Sequence, residues 1–314
     1  MLSRPPDQRV AILLSTFNGA GFLHAQLDSL LQQTHEHWVL YWRDDGSSDQ
    51  TTDVMAEFTA RAGQGRCVEL PGPRCNLGPA ASFHALLRAV VGDLAADDAV
   101  AFADQDDVWL PNKLQRGLAA LAEVHHDEPV MYCARQVLVD VELNRIGESA
   151  LACGEVGFPA SLTQNVATGC TVMLNRSAAI LVAASTPSPA TMHDWRCYLV
   201  VTAAGGRLLQ DPEAVVLYRQ HSGNLVGAPA SLVVRGVAAL RRGPRLFMSV
   251  LRQNVTALMA QPQLMTAQAR EQVAEIEAAL RCTGPRRLKA LRIAGLSRQT
   301  WIETMVFRCW FILG

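Results

Sequence analysis

In the stretch VAFADQDDVWLPNKL, an apolar run at 100–103 leads straight into Asp104, Gln105, Asp106 and Asp107. Three carboxylates within four residues repel one another, and holding them at the rim of a core costs free energy unless a cation neutralises them. Oxygen ligands suit Mg²⁺ or Mn²⁺, and Mg²⁺ commonly combines one or two carboxylates with the phosphates of a substrate. The pattern therefore points to a divalent metal and a phosphate-bearing substrate. Its plainer alternative is a solvated acidic turn ahead of the helix that Pro111 and Asn112 open.

Elements upstream must position this cluster. Residues 10–16 are nearly all apolar, as in a parallel strand buried on both faces. Helical spacing follows at Phe22, Leu23, Leu27, Leu30 and Leu31, ending near Gln32. Further strands are predicted at 39–42, 67–70 and 100–103, and further helices at 51–62 and 82–91. This alternation predicts an α/β fold with a doubly wound, mostly parallel sheet flanked by helices. Such sheets bind ligands beyond the carboxyl ends of their strands. Thr16 and Asn18 fall there after the first strand, Asp44 and Asp45 after the second, Asn76 beyond the third and the acids after the fourth.

Gly19-Ala20-Gly21, with Asp44 and Asp45 downstream, partly imitates a dinucleotide-binding fingerprint. The third glycine is replaced by His24, and an acid cluster after the fourth strand has no role in hydride transfer, which counts against an NAD-dependent oxidoreductase. A Walker lysine loop is absent as well.

The chain has 314 residues, 49% hydrophobic and 18% charged, a globular composition. No apolar stretch approaches the length of a spanning helix and MLSRPPDQR does not read as a signal peptide, so a cytoplasmic location is expected. The eight cysteines include no C-x-x-C pair and suggest neither a zinc site nor a disulfide frame. Net charge is −1, yet from Leu232 onward 13 basic residues face 4 acidic ones, which is +9 and leaves −10 for the preceding part. The split predicts a catalytic domain over 1–227 and a basic helical extension over 228–314, broken at Gly243-Pro244 and Gly284-Pro285. In its last segment Trp301, Ile302, Met305, Val306, Cys309, Trp310 and Leu313 can share one helical face, with Arg308 elsewhere. An anionic membrane surface would suit such a helix, as would packing on the catalytic domain or on a second subunit of a homo-oligomer. Nothing points to nucleic acid.

The segments LLSTFNGAGFLHAQLDSLLQQTHEHWVLYWRDDGSSDQT, NLGPAASFHALL, FADQDDVWLPNKL, TGCTVMLNRSA, HDW and YRQHSGNLVG together resemble family-2 glycosyltransferases of the GT-A fold. Within that family they are closest to the bacterial rhamnosyltransferase-like group that builds O-antigen or capsular polysaccharide. The likeness covers roughly 9–227. It implies a metal-dependent, inverting transferase that takes a sugar, rhamnose being one candidate, from a dTDP- or UDP-linked donor to a lipid-linked saccharide. The site would then lie on the inner face of the plasma membrane.

By the same resemblance, Asp45 or its neighbour Asp44 would accept the imide N–H of the base, with backbone near Thr16 at the base edge and Asn18 and Asn76 also on the donor side. Asp104 would reach the ribose and Asp106 would hold Mn²⁺ or Mg²⁺, with Asp107 supporting them and His221 completing the coordination. Arg219 would offer a cation to the diphosphate. Asp194, in MHDWRCYL, would be the base, ahead of His193. A position at the start of a helix over 195–204 would make Asp194 an N-cap as well and would depress its pKa. Trp195 would stack on a sugar or fill the core, and Gly169 would form an acceptor-side turn. Asp49 reads as a cap. The Q-x-x-R-W signature of processive synthases is missing, so one or a few sugars are added. A different class of function remains open in which the fold serves as a non-catalytic scaffold in a glycan assembly complex.

Overall fold

The computed structural model describes residues 8–72, 75–186, 191–221, 232–282, 287–293 and 295–313. Alternation of apolar strands and amphipathic helices yields β1 (Val10–Thr16), α1 (Ala20–Leu31), β2 (Trp38–Asp44), α2 (Thr51–Ala62), β3 (Cys67–Glu69), α3 (Pro79–Val90) and β4 (Ala99–Ala103). These follow the expected order closely. α3 starts earlier than 82 because Pro79, whose φ suits a first helical position, follows Gly78 at φ 77°.

The chain continues through β5 (Val108–Trp109), α4 (Lys113–Leu121), β6 (Val130–Val139), β7 (Arg145–Glu148), β8 (Met173–Asn175), α5 (Arg176–Ala184), α6 (His193–Ala203) and β9 (Arg207–Arg219). Strand order is β3-β2-β1-β4-β8-β6-β9-β5, with β7 on β6. The β3-β2-β1-β4 half is parallel. Beyond it β8 runs antiparallel to both β4 and β6, while β6 and β9 pair in parallel. The sheet is thus mixed, with its parallel half formed by the strands foreseen.

Because side chains alternate across a strand, Val10, Ile12 and Leu14 enter a core under α1, α2 and α4, while Ala11 and Leu13 enter a second under α3, α5 and α6. Both faces are covered, which is why β1 reads as an unbroken apolar run. The basic extension forms α7 (Leu232–Met259), α8 (Ala267–Leu280) and α9 (Trp301–Leu313). α7 is broken at Gly243, φ 75°, just before Pro244, as expected. Gly284-Pro285 lies outside the described residues, as does the end of the YRQHSGNLVG segment. Described parts of these helices share a third core with Leu162, Leu199 and Ala203 of the preceding region. Among the described residues, no helix is long and apolar enough to cross a membrane.

Candidate functional site

β4 delivers its acids to the carboxyl edge of the sheet, where long-range contacts shape the loop. The Gln105 side chain forks onto the backbone of Phe17, accepting from its N–H at 2.8 Å and donating to its carbonyl at 3.0 Å. A Cβ on Gly19 would lie 2.3 Å from Gln105 Oε1, so the glycine that mimics a dinucleotide motif serves this close approach. Asp106 Oδ2 lies 2.8 Å from Nε2 of His221. Arg219 is buried; its Nε donates to the Asp106 carbonyl at 2.8 Å and its backbone N–H to Asp107 Oδ1 at 3.1 Å. The Phe22 ring braces both, 4.8 Å from the His221 ring and 4.8 Å from the Arg219 guanidinium carbon. Arg219, expected to offer a cation to the diphosphate, hydrogen-bonds the acidic loop in this structure.

The acids form a site with excess negative charge. Asp107 is fully buried, and its Oδ2 meets the Cys170 thiol, a weak donor, with no conventional hydrogen bond. Burial and then the neighbouring Asp106 push Asp107 up to about 8, and burial with Asp107, Asp106 and Asp194 raises Asp104 well above the carboxylate range. Ligating atoms of Asp104, Asp107 and Cys170 lie within 4.8 Å of one another. Lys113 is buried beside them, its Nζ 3.5 Å over the Trp109 ring and without a hydrogen bond. Burial lowers Lys113 to about 7 against the pull of the nearby Cys170, Asp107 and Asp104. Several crowded carboxylates, one with an oxygen that lacks a conventional hydrogen bond, fit a divalent cation even beside the Lys113 ammonium, and carboxylates with an imidazole suit Mn²⁺ or Mg²⁺.

Lys113 and Cys170 did not emerge from the sequence as part of this cluster. A signal existed for the lysine, since Lys113 shares the buried helical face of Leu114, Gly117, Leu118 and Leu121, a place where an ammonium needs a partner. Lys113→Met keeps the alkyl bulk but leaves the buried carboxylates uncompensated. It is expected to lower the metal-free melting temperature by roughly 3 to 6 °C and to enlarge the rise on adding Mn²⁺, both read by thermal unfolding.

The donor-side residues gather at the same edge. Asp44 accepts from Thr16 Oγ1 at 3.2 Å, Ser47 Oγ at 2.5 Å, and the backbone N–H groups of Gly46 and Ser47. Asp45 pairs with Arg43 and accepts from the N–H groups of Leu77 and Gly78 at 2.9 and 2.8 Å, tying β2 to the loop that carries Asn76. A base imide reaching either carboxylate would share it with these donors. Thr16 is wholly buried, its carbonyl accepting from Asp45 N–H at 2.7 Å, and Asn18, at φ 48°, accepts from Ser48 N–H at 2.8 Å. Asn76 is exposed. Asp49 accepts from the Ala20 and Thr51 N–H groups, but the N-cap of α2 is Gln50, so Asp49 stands one residue ahead of the cap position expected of it.

On the other side, α6 starts at His193 with Met192 as its N-cap. Asp194 therefore sits inside the first turn and is not the cap. It accepts from Trp195 N–H at 2.6 Å, from the Asn165 side chain and from Gly169 N–H. The expectation of a depressed pKa is corrected: burial raises Asp194 to about 6, outweighing these hydrogen bonds. Its charge is felt at Asp104, which puts the base candidate within electrostatic reach of the acid cluster. Gly169 makes room for the protein itself, because a Cβ there would lie 2.4 Å from His193 Nε2. His193 is wedged between Phe83 and Phe102, ring centroids 4.1 and 5.1 Å away, and burial lowers it to about 3, which keeps it neutral. The Trp195 indole N–H donates to the Ser161 carbonyl at 2.7 Å while the ring packs between the second and third cores.

The family model described as glycosyl transferase family 2 matches residues 11–178. An uncharacterized glycosyltransferase of Nostoc sp. is 34% identical over 108 residues, 34% of this chain and 31% of that one. The dTDP-rhamnosyl transferase RfbG of Shigella flexneri is 25% identical over 69% of this chain and 75% of its own. WfgD of Escherichia coli, a UDP-Glc:alpha-D-GlcNAc-diphosphoundecaprenol beta-1,3-glucosyltransferase, is 27% identical over 54% of this chain and 62% of its own. The chain thus spans between about a third and three quarters of the length of these relatives. In fold it is similar to S. aureus TarS in complex with UDP-GlcNAc, with a TM-score of 0.58 at 16% identity over 87% of this chain and 72% of that one. The mannosyltransferase PcManGT of Pyrobaculum calidifontis, in complex with GDP-Man and Mn²⁺, aligns with a TM-score of 0.52 at 18% identity, covering 98% and 89% of the two chains. The architecture is that of GT-A glycosyltransferases.

Proposed function

Because the chain belongs to glycosyl transferase family 2, we propose that it moves a sugar, with inversion, from a nucleotide diphosphate to a saccharide carried by a lipid or a growing surface polysaccharide. The observation that supports this reading is the contact of Asp106 with His221 beside Asp104, a carboxyl that also feels the charge of Asp194. RfbG, named for a dTDP-rhamnosyl donor, supports rhamnose as the first sugar to test, and WfgD, named for a diphosphoundecaprenol-linked acceptor, supports a lipid carrier met at a membrane surface.

Asp104, Asp106 and His221 would hold Mn²⁺ or Mg²⁺, which when bound offsets negative charge on the departing diphosphate. Buried Asp107 and Arg219 keep that loop in shape, the Arg219 backbone N–H donating to Asp107 and its guanidinium to the Asp106 carbonyl. Asp194 takes the proton of the acceptor hydroxyl as its oxygen bonds to the anomeric carbon from the face opposite the diphosphate. The bond from that carbon to the phosphate oxygen breaks in the same step, so nucleoside diphosphate leaves and the proton stays on Asp194. One displacement without a covalent intermediate inverts the anomeric centre. A carboxylate raised to about 6 is still mostly ionised near neutrality yet more basic than an ordinary aspartate, which suits a general base.

That pKa sets a pH dependence. Asp194 must be unprotonated to act, so kcat/KM should rise through pH about 6 and fall to about a tenth of its plateau one unit below it. A rate profile over this range, in which Asp194→Glu displaces the midpoint, checks the assignment. A scaffold that only binds partners would release no nucleotide. Metal-dependent release of nucleoside diphosphate from a panel of thymidine, uridine and guanosine diphosphate sugars separates the two readings.

A further inference from the structure

α9 is apolar on two opposite sides. Phe307 and Phe311 are buried in the third core, where Phe307 meets Phe247 at 5.7 Å between ring centroids. At about 100° per residue these rings point away from Trp301, Ile302, Met305, Cys309 and Leu313, all exposed, with Trp301 at 77%, Ile302 at 67% and Leu313 at 84% of full accessibility. The exposed stripe extends about 18 Å at 1.5 Å per residue. It differs from the face expected from the sequence: Trp310 turns inward, 5.5 Å from Phe247, and exposed Arg308 borders the stripe.

A cation flanks this surface, the exposed Arg308, on an extension whose net charge is +9. Arg287 ties the preceding segment to the last turn of α9, its Nη1 donating to the Phe311 carbonyl at 2.9 Å. The acid of α9, Glu303, lies on another side of the helix, where it accepts from Thr300 N–H at 3.3 Å. The other acids of the extension, Glu271, Glu275 and Glu277, all belong to α8. An apolar stripe holding a tryptophan, bordered by Arg308 on a basic extension, is matched by the headgroup region of an anionic bilayer. A second copy of the chain is a poorer match, since it would press one +9 tail against another.

We propose that the exposed stripe of α9 is a docking surface for an anionic lipid bilayer. The helix lies in the plane of the interface, with Trp301 and Ile302 at headgroup depth and Arg308 against the anionic layer. This extends the acceptor side of the proposed function, but its physical basis is α9 itself and its test requires no turnover.

Flotation of the full chain with phosphatidylglycerol-containing vesicles, against vesicles of phosphatidylcholine alone, measures the contact. Strong flotation is expected only with phosphatidylglycerol. Trp301→Ser with Ile302→Ser should reduce it about tenfold, and so should added salt. Donor hydrolysis in solution should be unchanged in the double variant, because neither residue belongs to the proposed site. The proposal is overturned if the wild type stays unbound, if both vesicle types float it equally, or if the double variant floats as well as the wild type. It is equally overturned if sedimentation shows a dimer that the double variant dissolves without loss of flotation. A wild type that floats but releases no nucleotide from any donor would instead count against the catalytic reading.

Discussion

Asp194→Asn is expected to reduce sugar transfer by roughly 10³-fold, within the range typical of a removed general base, while nucleotide-sugar affinity stays near that of the wild type. The amide keeps the shape of the carboxylate and can still sit against Asn165 and the start of α6, but it cannot take a proton. Stability supplies an independent readout with a defined sign. The folded-state pKa of Asp194 is raised to about 6, so ionising it disfavours the fold as pH climbs from the unfolded value through the folded one. Removing the charge should leave the melting temperature at pH 8 equal or higher. Transfer lost together with a retained or raised melting temperature identifies a group held in a costly state for chemistry. Transfer at wild-type rates would remove Asp194 from the mechanism.

Chelation with EDTA should abolish transfer, and Mn²⁺ should restore it. Asp106→Ala should resist that restoration, with a loss of about a hundredfold or more at saturating donor, from several kcal/mol of charge stabilisation. Asp106 faces His221 at 2.8 Å, so His221→Ala should weaken Mn²⁺ binding in a thermal-shift titration in the same direction. Two carboxylates of this pocket, Asp104 and Asp107, are raised because they are buried and repel their neighbours. A cation relieves that repulsion, and Mn²⁺ is therefore expected to raise the melting temperature of the wild type more than that of Asp106→Ala. Equal shifts in both proteins would place the ion elsewhere.

Much of this was readable along the chain. β1 and β4 announced themselves as apolar runs because both faces of the sheet are covered, and α1 and α2 by their spacing. The acids after β4 stood out because three carboxylates in four residues have no purpose in a core. β5, β6, β8 and β9 were less legible: β5 is two residues long, β8 three, and the β6 to β9 register shifts at Ala134 and Arg135. Such strands owe their existence to partners far along the chain rather than to local propensity.

What the sequence determined by itself was therefore order and chemistry: which segments alternate, which ends of strands carry polar groups, and where charge crowds or turns basic. These are local properties, set by neighbours a few residues apart. Tertiary structure alone brought His221 to Asp106 across 115 residues, buried Lys113 among the carboxylates, and showed that Gly169 accommodates His193. It also reversed the sign expected for Asp194. A helix N-terminus was visible in the sequence and argues for a lowered pKa, but burial is a property of everything packed around the group, and here burial is the larger effect.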